Sequence, residues 1–149
     1  MSREISISRL LNTSVEKVWK AITDKDEMKQ WYFDIADFQL QIGFEFRFYA
    51  GSKEKQWLHV CKITEIVAGK KLTYSWRYDG YSGISYVTFE LFNEGDVADC
   101  KAGKTRVKLT HSGLESFPGE TVPELKKENF AEGWNHIVGT SLKEYLEKK

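Results

Sequence analysis

The chain has few of the residues that carry redox or metal chemistry. It has two cysteines, Cys61 and Cys100, and three histidines in 149 residues. Two cysteines far apart in sequence do not form a disulfide framework, and His59, His111 and His136 lack the spacing of metal ligands. We therefore expect no metal site and no cofactor. Proline occurs only twice and no repeat or linker interrupts the chain, so we expect one domain over residues 1–149.

The sequence also lacks an excess of charge of either sign. Lys and Arg number 22, Asp and Glu number 22, and the formal net charge is zero. Nucleic-acid binding requires a positive surface, and neither the total nor any local run supplies one. No segment approaches the roughly 18 apolar residues of a membrane span, and the N-terminus has no signal-peptide h-region. We expect a cytoplasmic protein, a monomer or weak dimer, that binds no nucleic acid.

Aromatic residues are what the chain has in excess. They make up 14% of the sequence, with five Trp, seven Tyr and nine Phe. Ligand pockets are lined mainly by apolar and aromatic side chains, so the excess indicates either a binding pocket or a large aromatic core. Composition alone leaves both interpretations open.

Local patterns divide the first two thirds of the chain into two short helices and a series of strands. The segment 13–16 is typical of a capping box in which Thr13 caps a helix over residues 14–23, and a second helical turn follows and runs into Trp31. Alternating apolar residues predict strands on either side of these helices. The predicted strands cover residues 5–9, 34–40, 44–48, 57–67, 72–78, 87–91 and 105–111.

The last part of the chain changes to a helical period. Residues 121–124 are typical of a second capping box, and apolar residues then recur at three and four up to Leu146, which predicts a helix of roughly 25 residues. A long amphipathic helix needs a sheet to cover it, and short turns favour antiparallel strands. The predicted fold class is therefore α+β. Gly133 and Gly139 weaken this helix by about 1 kcal/mol each, so both should have a packing reason.

Seven segments, taken in order, resemble one family. They are TSVEKVWKAITD (13–24), QWYF (30–33), GFEF (43–46), LTYSW (72–76), VTFEL (87–91), LTHSGL (109–114) and EGW (132–134). The chain resembles the START-like (SRPBCC) superfamily, and within it the homologues of the activator of the heat-shock chaperone ATPase. The resemblance implies a helix-grip fold: a curved antiparallel sheet of about six to seven strands wrapped around a long C-terminal helix, with two short helices after the first strand.

The resemblance also implies a function, with two alternatives. Members of the superfamily hold lipids, sterols or similar molecules between sheet and helix, so we expect this chain to bind a small hydrophobic or amphipathic ligand there. One alternative is a chaperone-related module that binds a protein partner. The other is a cyclase- or hydrolase-type enzyme that uses the same cavity. We favour a binding role, because no convincing catalytic set is visible.

The candidate ligand-binding residues are those predicted to face the space between sheet and helix. They are Trp31, Phe33, Trp57, Trp76, Tyr78, His111, Phe130 and Trp134. Trp31 and Phe33 are placed at the mouth of the cavity, and the alternative for the whole set is ordinary core packing. His111 either contacts the ligand, orienting it or acting as acid or base, or is a structural histidine; Tyr78 and Tyr86 are further candidates for orienting it.

A cysteine–histidine nucleophile pair is not predicted. His59 and Cys61 share one face of a strand, but residues two apart on a strand lie roughly 7 Å from each other. A nucleophile and its base must be within hydrogen-bond distance. We therefore predict no catalytic residue.

Overall fold

The computed structural model describes residues 4–32, 35, 38–51, 56–81, 83–94, 104–117 and 127–147. The first part of the chain forms β1 (Ile5–Leu11), α1 (Val15–Thr23) and α2 (Lys25–Trp31). Five strands follow: β2 (Glu45–Gly51), β3 (Gln56–Val67), β4 (Lys71–Tyr78), β5 (Ser85–Asn93) and β6 (Thr105–Ser112). After a short 3₁₀ turn, Leu114–Ser116, the C-terminal helix consists of α3 (Lys127–His136), a π-helical segment (Ile137–Leu142) and α4 (Lys143–Glu147).

All six strands belong to one antiparallel sheet in the order β1-β6-β5-β4-β3-β2. The first strand therefore pairs with the last, while the other pairs are between strands that follow each other in sequence. A register shift between Ile63 and Glu65 in β3 interrupts its pairing with β4, and such a bulge increases the local twist. Together with the C-terminal helix and the two short helices after β1, this curved sheet confirms the predicted α+β helix-grip fold.

One face of the sheet packs against the C-terminal helix, and its residues alternate as the sequence predicts. Val87, Phe89 and Leu91 of β5 are at most 5% exposed, and the inward residues of β6 are fully buried. From the helix, Val138 and Leu142 are fully buried against this face. The alternate residues of the strands and the apolar side of the C-terminal helix therefore pack together in one core.

The cap of α1 lies one residue later than predicted. Ser14, not Thr13, is the N-cap, and its hydroxyl oxygen accepts a hydrogen bond of 3.3 Å from the backbone N–H of Lys17. Thr13 is 4% exposed, and its carbonyl oxygen accepts a bond of 2.9 Å from the Thr105 hydroxyl. The prediction of Thr13 as cap was wrong because Thr13 packs against β6.

The prediction of a strand over residues 34–40 was also wrong for the described part of that segment. Ile35 and residues 38–40 have no strand structure. Ile35 is nevertheless buried, and the Phe38 ring lies 5.1 Å from the Phe46 ring at a steep angle. The apolar pattern is satisfied here by packing against the end of the sheet, without strand pairing.

The C-terminal helix contains a π-helical segment that the sequence did not predict, and Gly139 lies within it. A Cβ atom at Gly139 would lie 3.1 Å from Nε of Arg9, whose guanidinium donates to Asn135 Oδ1 at 2.9 Å. The expected packing reason for Gly139 is therefore confirmed. Gly133 is exposed and a Cβ there would meet nothing within 4 Å, so the same expectation for Gly133 was wrong. The predicted capping box at 121–124 lies outside the described residues.

Candidate ligand site between the sheet and the C-terminal helix

Seven of the eight candidate residues lie in the described parts of the chain, and all seven are buried. Their exposed fractions are Trp31 5%, Trp57 9%, Trp76 4%, Tyr78 6%, His111 0%, Phe130 9% and Trp134 2%. Phe33 lies outside the described residues. Trp76 is central, with its ring 5.6 Å from His111 and 5.4 Å from Trp134 between ring centroids. The structure thus brings strand and helix residues together into one aromatic cluster.

A chain of hydrogen bonds runs through this cluster from the helix to the sheet, and its direction follows from chemistry. The Trp134 indole N–H donates to His111 Nδ1 at 2.9 Å, since an indole nitrogen can only donate. The Ser85 hydroxyl donates to the Trp76 carbonyl at 2.8 Å, since a carbonyl oxygen can only accept. The remaining bond, 2.7 Å between Ser85 Oγ and His111 Nε2, must therefore be donated by His111. We call these residues the indole–imidazole relay.

The relay fixes His111 as a neutral imidazole with its hydrogen on Nε2. Burial lowers the pKa of His111 to about 3, because a charged imidazolium would lose its hydration. Protonation of Nδ1 would also place a second donor against the Trp134 N–H. Both ring nitrogens are occupied, so this arrangement suits a structural histidine and leaves no free nitrogen for acid–base chemistry in the conformation described.

Ser85 is the member of the relay that the sequence analysis missed. It is fully buried and lies on the same face of β5 as Val87 and Phe89. A serine at an inward position of an otherwise apolar alternation was the available signal. Its position is set by a close approach: Gly83, with φ of 102°, has room for no side chain, because a Cβ atom would lie 2.5 Å from the Ser116 carbonyl oxygen.

His59 is a second buried neutral histidine. Its Nδ1 lies 2.9 Å from the Trp57 carbonyl oxygen, so Nδ1 carries the hydrogen, and its ring stacks on Phe48 at 4.6 Å. Burial lowers the pKa of His59 to about 4. Burial also raises the pKa of the Cys61 thiol, which makes Cys61 a poor nucleophile.

Two tyrosine hydroxyls meet inside the apolar interior, next to the relay. Tyr32 and Tyr74 lie 2.6 Å apart between their hydroxyl oxygens. Burial raises the pKa of both hydroxyls well above the ordinary value, so both stay protonated. The Tyr32 ring stacks on Trp31 at 4.9 Å and on Trp134 at 6.1 Å. Tyr32 thereby connects α2 to the C-terminal helix.

Trp31 lies in the wall of the interior. Its indole N–H donates to the Ala21 carbonyl oxygen at 2.9 Å, which ties α2 to α1. The Trp31 ring also stacks on the Tyr32 ring, which contacts the rest of the aromatic cluster. Tyr86, by contrast, is 41% exposed on the other face of the sheet, so it was wrongly predicted to orient a ligand inside.

Four aromatic residues converge at one end of the cluster. Tyr78 lies 5.5 Å from Trp57, 5.4 Å from Phe117 and 6.4 Å from Phe130, between ring centroids. These rings are 6 to 9% exposed, whereas the residues around Leu109 and Leu142 are fully buried. We call Trp57, Tyr78, Phe117 and Phe130 the aromatic corner. It lies beside Tyr81, which is partly exposed.

The interior holds no formal charge in the described residues. The buried polar side chains are Thr13, His59, Thr73, Ser75, Ser85, Thr105 and His111, and none of them is Asp, Glu, Lys or Arg. Across the same ranges, no group of three or more His, Cys, Asp or Glu is arranged to hold a metal ion. No helix in the described ranges is long and apolar enough to cross a membrane.

The curved sheet, the long helix and the aromatic interior define a helix-grip domain of the ligand-binding type. The family described as Activator of Hsp90 ATPase homolog 1-like protein matches residues 12–147. Because this match covers most of the chain, the chain belongs to that family. A comparison with curated proteins found no match.

Solved structures share the fold at low sequence identity. Protein CV1439 from Chromobacterium violaceum is 19% identical, with a TM-score of 0.76 over 97% of each chain. MLL2253 from Mesorhizobium loti is 20% identical, with a TM-score of 0.74 over 98% of each chain. CalU16 from Micromonospora echinospora is 23% identical, with a TM-score of 0.69 over 97% of this chain and 76% of its own. At these identities the likeness concerns the fold alone.

Proposed function

We propose that this domain binds a small apolar or amphipathic molecule between the sheet and the C-terminal helix, with the aromatic corner as the point of entry. The observation that carries the proposal is the corner itself. Four aromatic rings from β3, β4, the segment after β6 and α3 converge there and keep 6 to 9% exposure. Aromatic faces supply large apolar contact area with little side-chain entropy to lose.

The state of the polar groups supports the same proposal. In the described interior, every buried side-chain nitrogen and oxygen has a hydrogen-bond partner. A ligand would therefore meet mainly apolar ring surfaces, and most of its affinity would come from buried area, about 25 cal/mol per Å² before the costs of association. His111 would contribute its ring face to the wall, since the relay occupies both nitrogens.

Two measurements test this proposal. Native mass spectrometry of the purified protein, with solvent extraction, should reveal a discrete copurifying apolar molecule. Titration with N-phenylnaphthylamine, a neutral probe that fluoresces in apolar surroundings, should show saturable binding to protein from which that molecule has been extracted. Binding should weaken about tenfold in Trp57→Leu, which removes a corner ring while remaining apolar.

Tyr49→Leu provides the matched control, because Tyr49 is 67% exposed on the outer face of β2, opposite to the face that carries the corner. It should leave the titration unchanged. A clean apo mass together with no saturable binding of the probe would refute the proposal. That outcome would favour the alternative of a chaperone-related protein-interaction module, which the family description suggests.

A further inference from the structure

Resting on the proposed function, we infer that the part of the ligand held at the aromatic corner is an uncharged hydrogen-bond acceptor, such as a ketone, ester or ether oxygen, which the Tyr78 hydroxyl recognises. The Tyr78 hydroxyl, at the aromatic corner, uses only part of its hydrogen-bonding capacity within the described part of the chain.

The Tyr78 hydroxyl has a spare hydrogen. Its oxygen lies 2.9 Å from Nε1 of Trp76, and because an indole nitrogen can only donate, the hydroxyl oxygen is the acceptor in that bond. The hydroxyl's own hydrogen finds no acceptor in the described part of the chain. Burial raises the pKa of Tyr78 above its usual value, so that hydrogen stays in place at physiological pH. Tyr78 is thus a neutral donor, 6% exposed, within an aromatic environment.

The surroundings of Tyr78 favour a neutral acceptor over an anion. The aromatic rings that contact its ring in the described residues are Trp57, His59, Trp76, Phe117 and Phe130. None of them is a cation at neutral pH, since His59 is buried and its pKa is lowered to about 4. A carboxylate placed here would lose its hydration and gain one hydrogen bond but no counter-charge.

The half-buried arginines of the described sheet are turned away from Tyr78 or distant from it. Arg77 precedes Tyr78 on β4, so its side chain points to the opposite face, and Arg106 pairs with Glu94 on the outer face of β6. Arg9 lies on β1, three strands from β4 in the sheet order. Neighbouring strands are about 4.8 Å apart, so the two positions are separated by roughly 14 Å. The Arg9 guanidinium donates to the Ser8 carbonyl and to Asn135 Oδ1. It cannot balance a negative charge at Tyr78.

Three probes of the same shape test this inference by displacement of N-phenylnaphthylamine. Acetylnaphthalene presents a neutral carbonyl, ethylnaphthalene presents no acceptor, and naphthoate presents a carboxylate. Acetylnaphthalene should bind about fivefold more tightly than ethylnaphthalene, which corresponds to one net hydrogen bond. Naphthoate should bind at least about tenfold more weakly than acetylnaphthalene at neutral pH.

A pair of variants assigns the preference to Tyr78. Tyr78→Phe should abolish the preference for acetylnaphthalene over ethylnaphthalene while retaining binding of both. Tyr86→Phe, which removes an exposed hydroxyl on the outer face, should keep the wild-type ranking. If Tyr78→Phe does not fold, the ranking of the three probes on the wild-type protein still decides.

The outcomes separate this inference from the proposed function. Equal displacement by acetylnaphthalene and ethylnaphthalene, or displacement by naphthoate as strong as by acetylnaphthalene, would overturn the inference while apolar binding stands. Retention of the acetyl preference in Tyr78→Phe would overturn the role of Tyr78. Absence of any binding of N-phenylnaphthylamine would overturn the proposed function, and the inference with it.

Discussion

The two buried histidines predict a steep loss of stability in mild acid. Burial lowers the pKa of His111 to about 3 and that of His59 to about 4, against an ordinary value of 6.5 for the unfolded chain. Below pH 6.5 the unfolded state therefore binds more protons than the folded state, and the free energy of unfolding falls as the pH falls. The contribution of the two histidines to the free energy of unfolding is complete above pH 6.5 and is lost progressively as the pH falls to between 3 and 4.

The magnitude follows from linkage. Between about pH 8 and pH 5 each histidine protonates in the unfolded chain but remains neutral in the folded one, which costs about 2 kcal/mol per group. Both groups are buried, with His59 6% and His111 0% exposed, so solvent screening is slight. The free energy of unfolding should fall by about 4 kcal/mol over this interval, a large part of the roughly 5 to 15 kcal/mol typical of a domain.

Urea unfolding followed by tryptophan fluorescence at a series of pH values measures this loss. In His111→Gln the decrease from about pH 8 to pH 5 should be halved, to about 2 kcal/mol, whatever the variant's absolute stability. His136→Gln is the matched control, because His136 is exposed on α3, and it should keep the wild-type slope. An unchanged slope in His111→Gln, or a wild-type decrease below about 1 kcal/mol, would refute the neutral, fixed tautomer of the relay.

Three further predictions concern contacts within the fold. Gly139→Ala should change the free energy of unfolding little in the wild type, because the new Cβ would press against the Arg9 guanidinium. In an Arg9→Ala background, which lacks the guanidinium, the same substitution should stabilise the protein by about 1 kcal/mol. Equal effects in both backgrounds would contradict the contact between Arg9 and residue 139. Tyr32→Phe and Tyr74→Phe should each cost about 1 to 2 kcal/mol in chemical denaturation, and the double variant should cost less than their sum, because both substitutions remove the same hydrogen bond. Ser85→Ala should cost about 1 to 3 kcal/mol in the same assay, because it leaves His111 Nε2–H without its acceptor, and a neutral result would contradict the relay.

The fold could be predicted from the sequence because its elements have strong and different periods. Apolar and polar residues alternate on β5 and β6, which is compatible only with strands that have one buried face. The apolar residues of the C-terminal segment recur at three and four, which is compatible only with a helix. The predictions were wrong where a local sequence pattern is compatible with two structures. Apolar alternation over residues 34–40 suits a strand, but Ile35 and Phe38 bury themselves by packing alone. A Thr-Ser pair before α1 offers two possible caps, and the contact with Thr105 selects Ser14.

The candidate site could be predicted only as a set of inward-facing residues. Face and period identified Trp76, Tyr78, His111 and Trp134, but they could not give the hydrogen bonds among them. Those bonds join β4, β5, β6 and α3, so they depend on strand register and on the axial position of the helix. The π-helical segment interrupts the regular helical period after Trp134, and Gly139 within it was its only sequence signal.

Trp76 connects the two kinds of polar group in the interior. Its backbone carbonyl ends the relay from Trp134 through His111 and Ser85, and its indole N–H binds the Tyr78 hydroxyl. The relay has no spare hydrogen to donate, and its bonds hold the helix to the sheet. The Tyr78 hydroxyl, at the aromatic corner, has one spare hydrogen. We therefore predict that substitutions at the aromatic corner change the proposed ligand preference while the relay, and with it the helix-grip fold, stays intact.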